Sequence, residues 1–245
     1  MSRVTPDWQI MIWVIILVII LLIGLLLYWQ LILTEGAYLG APLVALMYDW
    51  AAERYNKIKD FDERMEDFTL GRPLANRLYR QSEGIVLDVA TGTGRIPRTL
   101  FDQSIYRGRV VGLDRASKML NVARRDMANH QNRMTLIQAD AMALSILASN
   151  SFPAVTCLEA LEFFPDPKKG LAEMIRVLQP AATHTHPDSG WLLATNRVGW
   201  EARLMPGKTW RKEKLVEILQ DFPLRHVDIR PWEDIYNLVW AQKIT

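Results

Sequence analysis

Apolar positions follow three different rhythms along this chain. From Ile10 to Trp29 every residue is apolar or glycine, and Leu31, Ile32 and Leu33 extend the run past Gln30. A helix needs about 20 such residues to cross the hydrocarbon core of a bilayer. Trp8 and Trp13 flank one end of the run, and Tyr28, Trp29 and Tyr38 flank the other, in the manner of interfacial aromatic belts. Residues 1–35 therefore read as one transmembrane anchor. The competing reading is a cleaved export leader, whose apolar region would be only about 7–15 residues long, and Arg3 alone makes a poor basic lead.

The second rhythm is shorter and mixed. Tyr38 to Trp50 is rich in apolar residues but too short to span, and Gly40 and Pro42 interrupt it. Beyond Asp49 the pattern turns amphipathic: Phe61, Met65 and Phe68, then Leu74 and Leu78, recur at roughly helical spacing around Gly71 and Pro73. Residues 36–80 read as an interfacial, amphipathic helical linker. It either packs on the domain that follows or forms a membrane-hugging lid over a substrate entrance.

After Gly84 short apolar runs alternate with amphipathic stretches. Strands are predicted at 85–89, 109–113, 134–138, 155–158 and 191–195, with helices at 94–103, 116–128 and 168–178 between them. This alternation predicts an α/β domain over 81–245 with a parallel sheet and helices on both faces. Ligands of such sheets bind beyond the carboxyl ends of the strands.

Composition narrows the classes. Half of the 245 residues are apolar, so a sizeable core is available, and a net charge of +2 without a basic block argues against nucleic acid as a partner. The lone Cys157 excludes an internal disulfide, and its neighbours Val155, Thr156 and Leu158 suggest a buried strand position in a reducing compartment. His184 and His186 in the polar stretch 180–190 are weak metal candidates, and no metal site is assigned.

The candidate chemistry gathers at the strand ends. Ile85 to Val89 runs into Ala90-Thr91-Gly92-Thr93-Gly94, a sharp strand-to-helix turn that exposes backbone N–H groups where a charged ligand can sit. Asp88, Asp114 and Asp140 fall at three strand ends, and Asp114 follows Gly94 at the distance suited to ribose hydroxyls.

Val86 to Gly94, Val111-Gly112-Leu113-Asp114 and Ala139-Asp140-Ala141 resemble the first three motifs of class I S-adenosylmethionine-dependent methyltransferases. The likeness is strongest to the branch that includes the ubiquinone and menaquinone biosynthesis enzymes, and it covers about Met47 to Thr245. Met47 to Tyr55 resembles that family's entry helix and Leu238 to Lys243 its closing strand. The resemblance implies a Rossmann-like seven-stranded sheet with the last strand antiparallel. It implies S-adenosylmethionine as cofactor, with Asp88 facing the methionine ammonium and the turn Ala90, Thr91, Gly92 and Gly94 holding the methionine end. Asp114 would bind the ribose, Arg115 and Ala116 would line the adenine, Asp140 would accept from the adenine amino group, and Ala141 would add a backbone contact. Cys157, Leu158 and Glu159 would border the methionine moiety.

Glu159 and Glu162 are the candidate catalytic residues, Glu162 as a general base for the acceptor; both are alternatively solvated or capping groups. Ala90 stands where many relatives carry glycine and Pro153 where they carry aspartate, while Pro97 is tolerated in a first helical turn.

The anchor suggests a small, lipophilic acceptor resident in the bilayer: a quinone, a lipid or an isoprenoid-like compound. The charge bias around the span is too weak to orient it; a cytosolic cofactor would put the catalytic domain on the cytoplasmic side. Two other classes compete. A nicotinamide-dependent oxidoreductase shares the glycine turn, but Pro97 occupies the third glycine position of its fingerprint. A non-catalytic scaffold has no need of Asp114 or Asp140.

Overall fold

The computed structural model describes residues 7–181 and 189–244; Arg3, His184 and His186 lie outside them. Helix α1 (Asp7–Tyr28) continues as a π-helical turn over Trp29–Leu33. Trp8–Leu33 has a mean hydropathy of 3.5 and none of its apolar window is buried, so among the described residues it is one helix long and apolar enough to cross a membrane. Helix α2 (Ala41–Lys59) starts after Gly40 with Pro42 in its first turn and stops at Asp60, whose φ is +45°. Two short helices follow, α3 (Glu63–Glu66), capped by Asp62, and α4 (Arg72–Arg77), joined by a π-helical turn at Asp67–Gly71.

The sheet has seven strands: β1 (Ile85–Val89), β2 (Arg109–Asp114), β3 (Met134–Gln138), β4 (Ala154–Cys157), β5 (Trp191–Arg197), β6 (Leu224–Trp232) and β7 (Tyr236–Lys243). Their order is β3-β2-β1-β4-β5-β7-β6; β1 to β5 run parallel, and β7 runs antiparallel to both of its neighbours. The intervening helices are α5 (Arg95–Phe101), α6 (Ser117–Asp126), α7 (Pro167–Val177), α8 (Gly199–Ala202) and α9 (Lys212–Gln220). The expected seven-stranded sheet with one antiparallel strand is present.

Alternation along β1 sends Leu87 and Val89 to one face and Val86 to the other. Leu87 and Val89 pack with Leu171 and Met174 of α7 and Leu215 and Ile218 of α9. Val86 packs with Ile96 and Leu100 of α5 and with Leu74 of α4. Helices therefore cover both faces. Of the residues that recur at 61–78, Leu74 and Leu78 are fully buried, whereas Met65 and Phe68 are exposed. The α4 part of this segment belongs to the core.

The end of α1 docks on the sheet domain. The Trp29 indole donates to the Leu204 carbonyl (3.1 Å) and the Tyr38 hydroxyl to the Pro206 carbonyl (2.9 Å), with the two rings stacked. Buried Arg197 pairs with Glu35 (2.8 Å) and Glu201 (2.7 Å). Helix α2 then packs Ala52 against Met119 and Val122 of α6.

Candidate active site

Beyond Val89 the chain reverses through Ala90 (φ +56°), Gly92 (φ +55°) and Gly94 (φ +88°). A Cβ on Gly92 would meet no atom within 4 Å, so its backbone faces open space. Two acids build this turn. The Asp114 Oδ2 accepts from the Gly92 amide and its Oδ1 from the Ala116 amide, both at 2.8 Å. Asp88 accepts from the Thr91 hydroxyl and the Thr156 hydroxyl, both at 2.6 Å.

The turn forms one wall of a cavity of about 750 Å³, open to solvent. Ala90, Gly92, Asp114, Arg115, Ala116, Asp140, Ala141 and Glu159 all line it, so the structure brings these predicted residues together. Asp140 pairs with Arg115 at 2.5 Å and accepts from the Met142 amide at 2.9 Å.

Asp88, Thr91, Gly94, Cys157 and Glu162 are not among the lining residues. Asp88 is buried and committed to two threonine hydroxyls; it braces the turn from behind, where the expectation had it facing the ligand. Burial pushes its carboxyl up to about 6, against those two hydrogen bonds. Cys157 ends β4 inside the core, and burial pushes its thiol well up, which argues against a reactive thiolate.

Glu162 is neither solvated nor capping. It is fully buried, with Oε1 accepting from the Tyr236 hydroxyl at 2.9 Å and Oε2 without a hydrogen-bond partner. Burial pushes it up to about 7, opposed by Tyr236 and by the Arg197 charge. Its carboxylate is not part of the cavity wall, whereas its neighbours Ala160 and Phe163 are.

Glu159 does line the cavity. Its φ is +49°, its amide donates to the Thr195 hydroxyl at 2.6 Å, and its carboxylate pairs with Lys59 and Arg95. Burial alone would raise this carboxyl; Lys59 and Arg95 outweigh burial and hold it below the usual range. Glu159 is a fixed anion, not a proton acceptor. Arg95 also pairs with Glu66 at 2.5 Å and sits over the Phe61 and Trp232 rings.

The sequence reading missed the opposite wall. Val44, Ala45, Tyr48 and Tyr55 of α2 face the glycine turn across the cavity, together with Phe163 and Phe164. The Tyr48 ring packs against Tyr55 (5.9 Å) and edge-on to Phe163 (5.7 Å). The available signal was Tyr48, Ala52 and Tyr55 at i, i+4 and i+7, a single helix face. Asp49 and Asn56 hold that helix in place: Asp49 accepts from the Lys118 amide at 2.7 Å, and Asn56 accepts from the Thr93 hydroxyl at 2.6 Å. Trp200, Trp210, Trp232 and His226, all in the C-terminal part, do not line the cavity.

Residues 86–181 match the family described as "Methyltransferase domain". A demethylmenaquinone methyltransferase from Renibacterium salmoninarum is 34% identical over 152 residues, covering 60% of this chain and 61% of that protein. The corresponding protein of Thermus thermophilus is 31% identical over 134 residues, covering 55% and 60%. The chain thus spans about three fifths of the length of these curated relatives. Among solved structures, the [4+2]-cyclase SpnF aligns with a TM-score of 0.64 at 19% identity, covering 84% of this chain and 97% of that one. Magnesium protoporphyrin IX methyltransferase from Synechocystis with bound S-adenosylmethionine aligns with a TM-score of 0.52 at 16% identity, covering 73% and 80%. These two likenesses establish the fold alone; the same fold serves a cyclase, so chemistry must be argued from the cavity.

Proposed function

We propose that this chain, whose residues 86–181 match a methyltransferase domain, moves a methyl group from S-adenosylmethionine to a small lipophilic acceptor at a membrane. The observation that carries this reading is the pairing of two unlike walls across one cavity. The polar wall fits the cofactor: the Asp114 oxygens, each using one backbone amide, keep capacity for ribose hydroxyls, and Gly92 leaves open space beside them. Arg115, Ala116 and Asp140 are placed to bound the adenine, and the fixed Glu159 anion favours a cationic methionine end. When bound, the cofactor supplies a methyl group already activated on a sulfonium.

In that transfer the acceptor would take the methyl, the sulfur would keep the electron pair of the broken bond, and the acceptor would give up a proton. The residues contribute alignment: the aromatic box of Tyr48, Tyr55 and Phe163 orients a flat apolar acceptor towards the turn. Such orientation is worth up to roughly 7–11 kcal/mol. With Glu159 ion-paired and Glu162 off the wall, the proton leaves to water or is lost before binding.

Membrane residence follows from α1 and from α2, whose outer face exposes Leu43 (49%), Leu46 (64%) and Trp50 (84%) while its inner face walls the cavity. An interfacial α2 would form a lid reached from the bilayer, and residues 81–245 would make up most of the catalytic domain on the cytoplasmic side, where the cofactor is made. The quinone-related names of the relatives favour a quinone-type ring. Calorimetry with S-adenosylmethionine and with NADH tests the cofactor; binding of NADH alone refutes it. Mass spectrometry of membrane quinones and lipids with and without the protein tests the acceptor, which must appear lighter by one methyl group when the protein is absent. A reporter fused after Thr245 that is active only outside the cell overturns the cytoplasmic placement.

A further inference from the structure

The surface beside the anchor's exit has chemistry that the cavity does not use. Hydrogen bonds from Trp29 and Tyr38 hold the carbonyls of Leu204 and Pro206 within a few Å of the end of the apolar span. Next to them lies an open groove of about 1330 Å³, walled by Arg203, Met205, Trp210, Arg211, Lys212 and Glu213. Trp200, 61% exposed, stands on α8 beside it. Nearby cations are engaged: Arg197 with Glu35 and Glu201, Lys208 with the Phe164 carbonyl, Lys214 with Glu217. Arg203, Arg211 and Lys212 are exposed, and none of the three has an ion-pair partner among the described residues. The groove also contains the first turn of α9, which no side chain caps.

We propose that this groove binds the headgroup of an anionic phospholipid in the leaflet where the anchor ends, an inference that rests on reading α1 as a membrane span. Three cations without ion pairs beside the residues that hold the end of the span would feel the surface's negative potential, which decays over a Debye length of about 8–10 Å. Trp200 is the side chain suited to the headgroup level. Arginine forks match phosphate oxygens in pairs, and three cations favour a headgroup whose phosphate charge is uncompensated over one in which choline offsets it. Glu213 is the one acid on the groove wall and opposes binding.

The test uses the full chain, delipidated in detergent, with phosphatidylglycerol or phosphatidylcholine added and bound lipid counted by native mass spectrometry. Wild-type protein should retain phosphatidylglycerol preferentially. Each cation contributes about a five-fold gain near a charged surface, so the triple variant Arg203→Gln, Arg211→Gln, Lys212→Gln should bind roughly 10²-fold more weakly. Glu213→Gln should bind more tightly, an opposite sign that a folding defect cannot mimic. Equal retention of the two lipids, an unchanged triple variant, or displacement by inorganic phosphate at equal concentration would each overturn the proposal. Alkaline carbonate extraction of membranes separates the two failures: a released chain defeats the anchor, whereas a retained chain without lipid preference defeats only the groove.

Discussion

Replacing Asp114 by asparagine perturbs the cavity at its most constrained point. Both carboxylate oxygens accept a backbone amide at 2.8 Å, one from Gly92 and one from Ala116, so the side chain cannot turn without losing both. Asparagine offers an oxygen to one amide and an NH2 group to the other. The stranded amide weakens the turn in the free and the bound protein alike, so most of that cost falls on stability. The effect on binding comes from the ribose hydroxyls. A hydrogen bond to a charged acceptor is worth about 1.5–3 kcal/mol and a neutral one about 0.5–1.5 kcal/mol, a difference of about 1–1.5 kcal/mol per hydroxyl. Two hydroxyls give roughly 2–3 kcal/mol, or about 30- to 150-fold in Kd. Calorimetric titration of S-adenosylmethionine into wild type and Asp114→Asn, with circular dichroism confirming that both are folded, measures this directly. A folded variant binding within about three-fold of wild type would remove Asp114 from the cofactor site.

Glu162→Gln should change how stability depends on pH. Because the folded-state carboxyl is raised from 4.5 to about 7, its stabilising contribution is complete below about 4.5 and is lost as pH rises through 7. Wild type should therefore lose of order 3 kcal/mol relative to the variant over that window; urea unfolding in detergent at pH 5 and pH 8 reads it, and parallel profiles contradict it. Arg95→Met should cost about 3–5 kcal/mol, because Glu66 is left buried without its cation and Glu159 keeps Lys59 alone. That loss should shrink at low pH as the carboxylates take up protons, and a pH-independent loss would show that packing on Phe61 and Trp232 dominates. Tyr48→Ala removes ring contacts worth about 0.5–1.5 kcal/mol beyond the area lost. Acceptor turnover should fall while the Kd for S-adenosylmethionine stays close to wild type; an equal loss in both would move Tyr48 to the cofactor side.

The parallel part of the sheet was legible because β1, β2 and β4 are buried and their residues form short apolar runs between glycine, proline and charge. Strand β6 was not. It is an edge strand, half-exposed along its length, with a bulge between Arg225 and Asp228 where His226 takes a φ of +52°, so it carries no clean alternation. The polar wall of the cavity could be read because strand-end acids and a glycine turn lie close in sequence. The aromatic wall could not be read that way, since Tyr48 and Phe163 meet only after α2 folds across the sheet. Glu162 was misjudged for a related reason. Its position after β4 suggested the site, but the Leu161–Phe163 turn directs its carboxylate inward to Tyr236, and no local pattern reports a partner 74 residues away.

If α1 anchors the chain and the acceptor is apolar, as proposed, the docking of its end bears on how that acceptor reaches Tyr48. Burying one methylene is worth about 0.8 kcal/mol, so moving a chain of several five-carbon units through water costs well over 10 kcal/mol. An entrance level with the bilayer avoids the cost, provided that the cavity keeps a fixed height above it. A flexible tether would not provide this. The Arg197 pair with Glu35 and the hydrogen bonds of Trp29 and Tyr38 do, because they join the segment after α1 to β5 and to the loop that follows α8. On this reading α2 does two jobs with two faces: Leu43, Leu46 and Trp50 sit in lipid while Tyr48 and Tyr55 hold the ring, and the tail remains in the membrane while the ring is methylated.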